Sequence, residues 1–251
     1  MSPLYVRLAE LRTARVLTRD RSGSVVALFV DADDWAIRFL AVAFDDARGS
    51  MGRVRRLVSP QQLHAPGASA SVLTAGARTN DLKPLGVGRI VRRLSGRSVA
   101  RLTARYGLPP YWIGPGPWGS ASDPLSALGG ERPAPRPVTG RRRHPGPAYR
   151  DSRIIGTRVT STTAPIGRVS DLAVDRRSWR VRYLIVRLSR HNDDAEVLVS
   201  PYWTTGPPSR RRARIDRPAD LVLAAPRYRP ETITLREEQT LARHYGFLVE
   251  S

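Results

Sequence analysis

Four histidines, the acids around them and one glycine-rich run are the residues whose types could do chemistry. His64, His144, His191 and His244 have no metal-type spacing. Only His191-Asn192-Asp193-Asp194 gathers nitrogen and oxygen donors. Consecutive residues on a turn point in different directions, so this run reads as a solvated hairpin loop. Asp171 and Asp175 stand four apart and could act as paired acids; the plainer reading is that Asp171 bonds a turn and Asp175 opens a hairpin. Gly114-Pro-Gly-Pro-Trp-Gly119 fits GxGxxG by letter, but no strand precedes it and no helix follows. Its prolines also remove the backbone donors a phosphate would need. There is no P-loop. The chain has no cysteine, which excludes disulfides, thiolate metal sites and cysteine nucleophiles. Catalysis needs a converging set of nucleophile, base and electrophile, and none is found. The expectation is a protein without enzymatic activity, catalytic residue, metal or cofactor.

Positive charge is what remains. Lysine and arginine total 42 against 22 acids, a net charge of +20, and Lys83 is the single lysine. Such an excess suits nucleic acid, anionic lipid or acidic protein partners. Two clusters stand out, Arg141-Arg142-Arg143 and Arg210-Arg211-Arg212 with Arg214. Arginine offers bidentate phosphate contacts and stacks on rings, so these are the candidate anion or nucleic-acid contacts, against the plain alternative of a solvated charge run. Nothing indicates base-specific readout.

The elements that must position these residues come in two copies. Gly167 to Val186, GRVSDLAVDRRSWRVRYLIV, recurs 144 residues earlier at Gly23 to Val42 as GSVVALFVDADDWAIRFLAV. Nine of the twenty positions are identical: Gly23/Gly167, Val25/Val169, Leu28/Leu172, Val30/Val174, Asp31/Asp175, Trp35/Trp179, Arg38/Arg182, Leu40/Leu184 and Val42/Val186. Chance gives about one. A repeat is settled before a fold is named. Each copy reads strand, tight turn, strand. In the second copy the strands are Val169 to Val174 and Trp179 to Leu188, with Trp179, Val181, Tyr183 and Ile185 alternating against Arg180 and Arg182. A later strand ends at a proline in each copy, Val197 to Pro201 and Arg56 to Pro60. Arg38 and Arg182 hold equivalent strand positions; either could bind an anion, and pairing with the neighbouring aspartates is the plainer role. Short strands at this spacing predict small barrels.

Gly167-x-Val169-x-Asp171-x-x-Val174-Asp175, then Trp179-x-Val181-Arg182-Tyr183-Leu184-Ile185-Val186 and Val197-Leu198-Val199-Ser200-Pro201, resembles the PRC-barrel domain. That β-barrel is shared by the cytoplasmic part of the photosynthetic reaction centre H subunit and the C-terminal domain of the ribosome maturation factor RimM. The resemblance covers Ser152 to Tyr245 and is weaker over the first copy, where Ala27 replaces Asp171, Asp45 to Met51 is inserted and Gln61 to Leu85 matches poorly. The whole chain looks like bacterial proteins carrying two such barrels. The resemblance implies a docking and assembly surface for a protein or membrane-complex partner, with a link to photosynthetic reaction centre assembly. The alternative it implies, together with the charge, is a basic RNA- or ribosome-associated binder. Anionic lipid and self-association remain open as further partners.

The expected fold is mainly β: two PRC-type barrels, each followed by a short helix. Residues 1–112 form the first repeat, 113–150 a Pro/Gly/Arg-rich linker, and 151–251 the second repeat. The helices are read at Ser98 to Tyr106, stopped by Gly107, and at Thr234 to Tyr245, stopped by Gly246, with Thr234 and Glu237 as a capping box. Ten prolines between Leu108 and Arg150 rule out a ladder or a useful helix there. Tyr111, Trp112 and Trp118 are expected to tuck against a barrel rather than serve a partner. No apolar run approaches the length of a membrane span and MSPLYVRLAELRTARV lacks the apolar core of a signal peptide. The cytoplasm is the expected compartment, with peripheral contact to the inner membrane implied by the resemblance.

Overall fold

The structure is a computed structural model describing residues 5–45, 54–64, 71–85, 91–108, 110–113, 145–189, 195–205, 212–229 and 233–246. The chain is mainly β and divides into two compact units, each drawing on both repeats. The N-terminal unit comprises Glu10–Asp151 with Arg177–Arg180; the C-terminal unit comprises Met1–Ala9, Ser152–Arg176 and Val181–Ser251. Most of the linker at 113–150 lies outside the described residues.

In the C-terminal unit the repeat motif forms a long hairpin, Pro165–Asp175 against Val181–Leu188. Glu196–Val199 adds antiparallel to Val181–Leu188. On the other flank Arg158–Thr160 pairs antiparallel with the start of Pro165–Asp175, and Arg212–Ile215 then joins it parallel. Tyr5–Arg7, from the start of the chain, covers the far end of Pro165–Asp175, with Tyr5 opposite Asp175 and Arg7 opposite Ala173.

The N-terminal unit repeats the plan. Ser22–Asp31 and Ile37–Phe44 make its hairpin, with Val54–Val58 on one flank. Arg15–Leu17 pairs antiparallel and then Val72–Ala75 parallel on the other. Ala148–Arg150, the end of the stretch read as a linker without a ladder, forms a strand after its last proline and covers the far end of Ser22–Asp31, Ala148 opposite Asp31 and Arg150 opposite Phe29. Register breaks fall at matching places, Val25/Ala27 and Phe29/Val30 in one hairpin and Val169/Asp171 and Ala173/Val174 in the other. A bulge bends its strand and increases twist, so conserving both its positions conserves the curvature of the sheet.

The repeat's invariant residues have local physical reasons. Trp35 and Trp179 end their turns at φ 59° and 55°, and among the described residues they are the non-glycine positions with positive φ. The sequence suggested that the strand begins at Trp179. It begins at Val181, because a left-handed residue closes a turn rather than opening a ladder. Burial of each indole to 4% exposure offsets that backbone strain. Gly167 lies so close to the facing strand that a Cβ there would sit 1.9 Å from the Arg187 carbonyl oxygen. At Gly23 a Cβ would meet the Ala43 oxygen at 2.8 Å.

Helices follow the expected signals. Gly96–Arg105 is capped by the Ser95 hydroxyl, and Leu235–His244 by the Thr234/Glu237 capping box. Gly107 and Gly246 follow them with φ 63° and 77°. A short helix spans Leu8–Thr13. Leu8 and Leu11, three apart, share one buried face there, a helical spacing that the preceding strand disguised. In the N-terminal unit Phe29, Phe39, Leu57, Leu94, Val99 and Leu102 form one apolar cluster. Tyr111 is buried in it and Trp112 packs against it, as expected of the linker's aromatic start; Trp118 lies outside the described residues.

Candidate anion-binding face

Strand register assembles an arginine row that no single stretch of sequence contains. Arg158 stands opposite Arg212 across a parallel ladder and opposite Arg168 across an antiparallel one. Arg168 stands opposite Arg187, and Arg187 opposite Glu196. Directly opposed residues share a face of the sheet, so Arg212, Arg158, Arg168 and Arg187 lie side by side across four strands. All four side chains are exposed. Like charges placed opposite one another destabilise a ladder by about 0.2–1 kcal/mol per pair. The row ends in a carboxylate: Arg187 Nη2 lies 3.4 Å from Glu196 Oε1. Among the described residues no carboxylate forms an ion pair with Arg158, Arg168 or Arg212. Arg168 Nη1 donates to the Gly156 carbonyl oxygen at 3.2 Å.

The Arg212 end of the row borders a cavity of about 480 Å³ lined by Ser152, Arg153, Ile155, Gly156, Arg158, Arg168 and Arg212. Four arginines and no acidic residue are among these lining residues. The N-terminal unit has a different row at the matching ladder positions: Val72, Arg15, Ser24, Ala43 and Arg55. There Arg15 is held by the Ser22 hydroxyl at 2.6 Å. The two sheets thus share a scaffold and differ in what this face carries.

Of the basic residues singled out from sequence, Arg141, Arg142, Arg143, Arg210 and Arg211 lie outside the described residues. Arg212 and Arg214 do not sit in a loop between strands; both are in the strand Arg212–Ile215, exposed on alternate positions and so on one face. Arg153, Arg158, Arg168 and Arg187 were missed because they are scattered in sequence and meet only through register. One signal was available: Ser24 and Ala43 in the first repeat become Arg168 and Arg187 in the second.

The repeat's buried arginines have structural duties. Arg38 is 1% exposed. Its Nε donates to Asp31 Oδ2 at 3.1 Å, its Nη2 pairs with Asp34, and its guanidinium stacks 3.4 Å over the Tyr111 ring centroid. The Tyr111 hydroxyl also donates to Asp31, at 2.9 Å. Asp31 Oδ1 accepts the Asp33 amide at 2.9 Å, the turn-opening role expected of it. Arg182 does not pair with an aspartate of its own hairpin; its Nε donates to Glu238 Oε1 at 3.1 Å, an acid carried by the C-terminal helix. Tyr5 and Tyr183 donate to the same oxygen at 2.6 and 2.9 Å. Burial pushes both tyrosine hydroxyls well up, and the Glu238 charge adds to it. Burial alone would raise Glu238, but hydrogen bonds from Tyr5, Tyr183 and Arg182 and the Arg182 charge outweigh it and hold the carboxyl below 4.5. Asp171 bonds no turn. It accepts from Arg7 Nε at 2.8 Å and the Ala9 amide at 3.3 Å, fastening the first strand onto the sheet.

Among the described residues, no group of three or more His, Cys, Asp or Glu is placed to hold a metal, and no helix is long and apolar enough to cross a membrane.

The PRC-barrel domain model matches residues 147–222. That span contains Arg153, Arg158, Arg168, Arg187 and Arg212, the whole cationic row and its cavity. The chain is therefore a mainly β protein whose residues 147–222 match the PRC-barrel domain. No curated protein matches the chain.

Proposed function

We propose that the protein is a non-enzymatic docking protein that binds an acidic protein or membrane-complex partner through the arginine face of its C-terminal unit. The observation that carries this reading is the exposed row Arg212-Arg158-Arg168-Arg187, in which like charges stand opposite one another until Glu196 ends it. A sheet holds such a row at an energetic penalty, and an opposing acidic surface removes it. The PRC-barrel match adds weight, since characterised barrels of that family serve as assembly surfaces. The N-terminal unit, with the same strand order and bulge positions, is read as a second, diverged barrel of the same type. A place in photosynthetic reaction centre assembly, peripheral to a membrane, rests on the family resemblance. A second reading, an RNA- or ribosome-associated binder, draws on the same exposed arginines.

Charge reversal at Arg187→Glu with Arg214→Glu tests the choice, because both side chains are exposed and neither lines the cavity. Docking predicts that a defined acidic protein or complex co-purifies from native cells with the wild type and is lost from the variant. Retention on RNA with no protein co-purifying would replace docking by the second reading. Equal recovery of the same partner by both forms would remove this face from the account.

A further inference from the structure

We propose that the cavity bordered by Arg153, Arg158, Arg168 and Arg212 is a binding site for a small phosphate-bearing molecule with at least two negative charges. The inference shares a face with the docking reading but concerns the cavity at the Arg212 end of the row. The volume, about 480 Å³, falls in the range of small-ligand sites and is too confined for a folded partner. Its lining is unusual in sign: four arginines, one serine hydroxyl and no carboxylate. Arg158, Arg168 and Arg212 come from three adjacent strands in direct register, so they converge on one region. Guanidinium groups are planar and present paired donors that match the oxygens of a phosphate. A diphosphate spans the neighbouring arginines Arg212, Arg158 and Arg168, which stand on strands about 4.8 Å apart.

Gly156 supports the arrangement. Its φ of +79° turns the chain at the cavity edge, and its carbonyl oxygen holds Arg168 Nη1. Arg168 is thereby positioned while its remaining donors stay available. The matching positions of the N-terminal unit, Val72, Arg15 and Ser24, cannot form this site, so the inference is specific to one half of the chain.

The test is calorimetric titration of the full-length protein with inorganic pyrophosphate in phosphate-free buffer. Saturable binding at one site per chain is expected. Arg158→Gln and Arg212→Gln should each weaken it about tenfold or more, the effect of losing a charge-assisted hydrogen bond. Arg15→Gln in the N-terminal unit, and the docking variant Arg187→Glu with Arg214→Glu, should leave the site occupied. Melting temperatures of the two glutamine variants should not fall below the wild type, because both side chains are exposed and each change removes a like-charge pair from the row. Absence of saturable binding overturns the inference, as does binding that both glutamine variants retain at full strength. A short RNA that binds without being displaced by pyrophosphate, in a protein that binds no pyrophosphate alone, overturns it in favour of polyanion contact along the row. Failure of the wild type to recover any partner, with pyrophosphate binding intact, would instead count against the docking reading only.

Discussion

Trp35 and Trp179 hold a backbone conformation that favours glycine, yet both are tryptophan and both are buried. Two effects oppose each other: left-handed strain of about 1–2 kcal/mol and the burial of a large indole. Burial is larger. Replacing either with alanine should destabilise its unit by about 3–5 kcal/mol in urea unfolding. Replacement by glycine should be no worse than alanine, because the same change relieves the φ; a glycine variant clearly less stable than the alanine variant would contradict this. Glu238 makes a pH-dependent prediction. Its folded value lies below the unfolded one near 4.5, so its contribution is complete above 4.5 and fades as pH falls through the folded value. Glu238→Gln should cost about 1–3 kcal/mol at neutral pH, and the gap to wild type should narrow in acid. A gap that stays constant into acid would show that Glu238 is not held as a carboxylate.

At the scale of elements, the hairpins were written in the sequence because their information is local. Alternation in Val181 to Ile185, the aspartate at each turn and the proline after each closing strand all lie within one short window. The glycine that begins each copy belongs there too. Gly167→Ala forces a Cβ into the Arg187 carbonyl and should destabilise the C-terminal unit by about 1–3 kcal/mol. Thermal unfolding unchanged by that substitution would mean that the strands separate without penalty. What sequence could not supply was pairing at a distance. Tyr5–Arg7 reads as a strand, but its partner lies beyond residue 170, and periodicity carries no address. For the same reason Arg182 was given an aspartate of its own hairpin and found Glu238 on a helix instead. Asp171, read as a turn residue, proved to be the anchor of that first strand. The arginine row belongs to this class as well, since register alone makes neighbours of Arg158, Arg168 and Arg212.

For the whole molecule, a net charge of +20 suits anionic partners but carries no information about where one would bind. Attention fell on contiguous clusters, of which Arg212 and Arg214 are the described part of one. The sheet adds Arg158, Arg168 and Arg187 from places where the sequence shows single basic residues between apolar ones. The two copies of the repeat differ at this face on matching register: one carries Ser24 and Ala43, the other Arg168 and Arg187. The most direct check of the central claim is quantitative co-purification from native cells of the wild-type chain against Arg187→Glu with Arg214→Glu. The account predicts an acidic partner recovered by the first and absent from the second, with folding unchanged. Recovery of that partner in equal amounts by both would show that the arginine face is not where the protein docks.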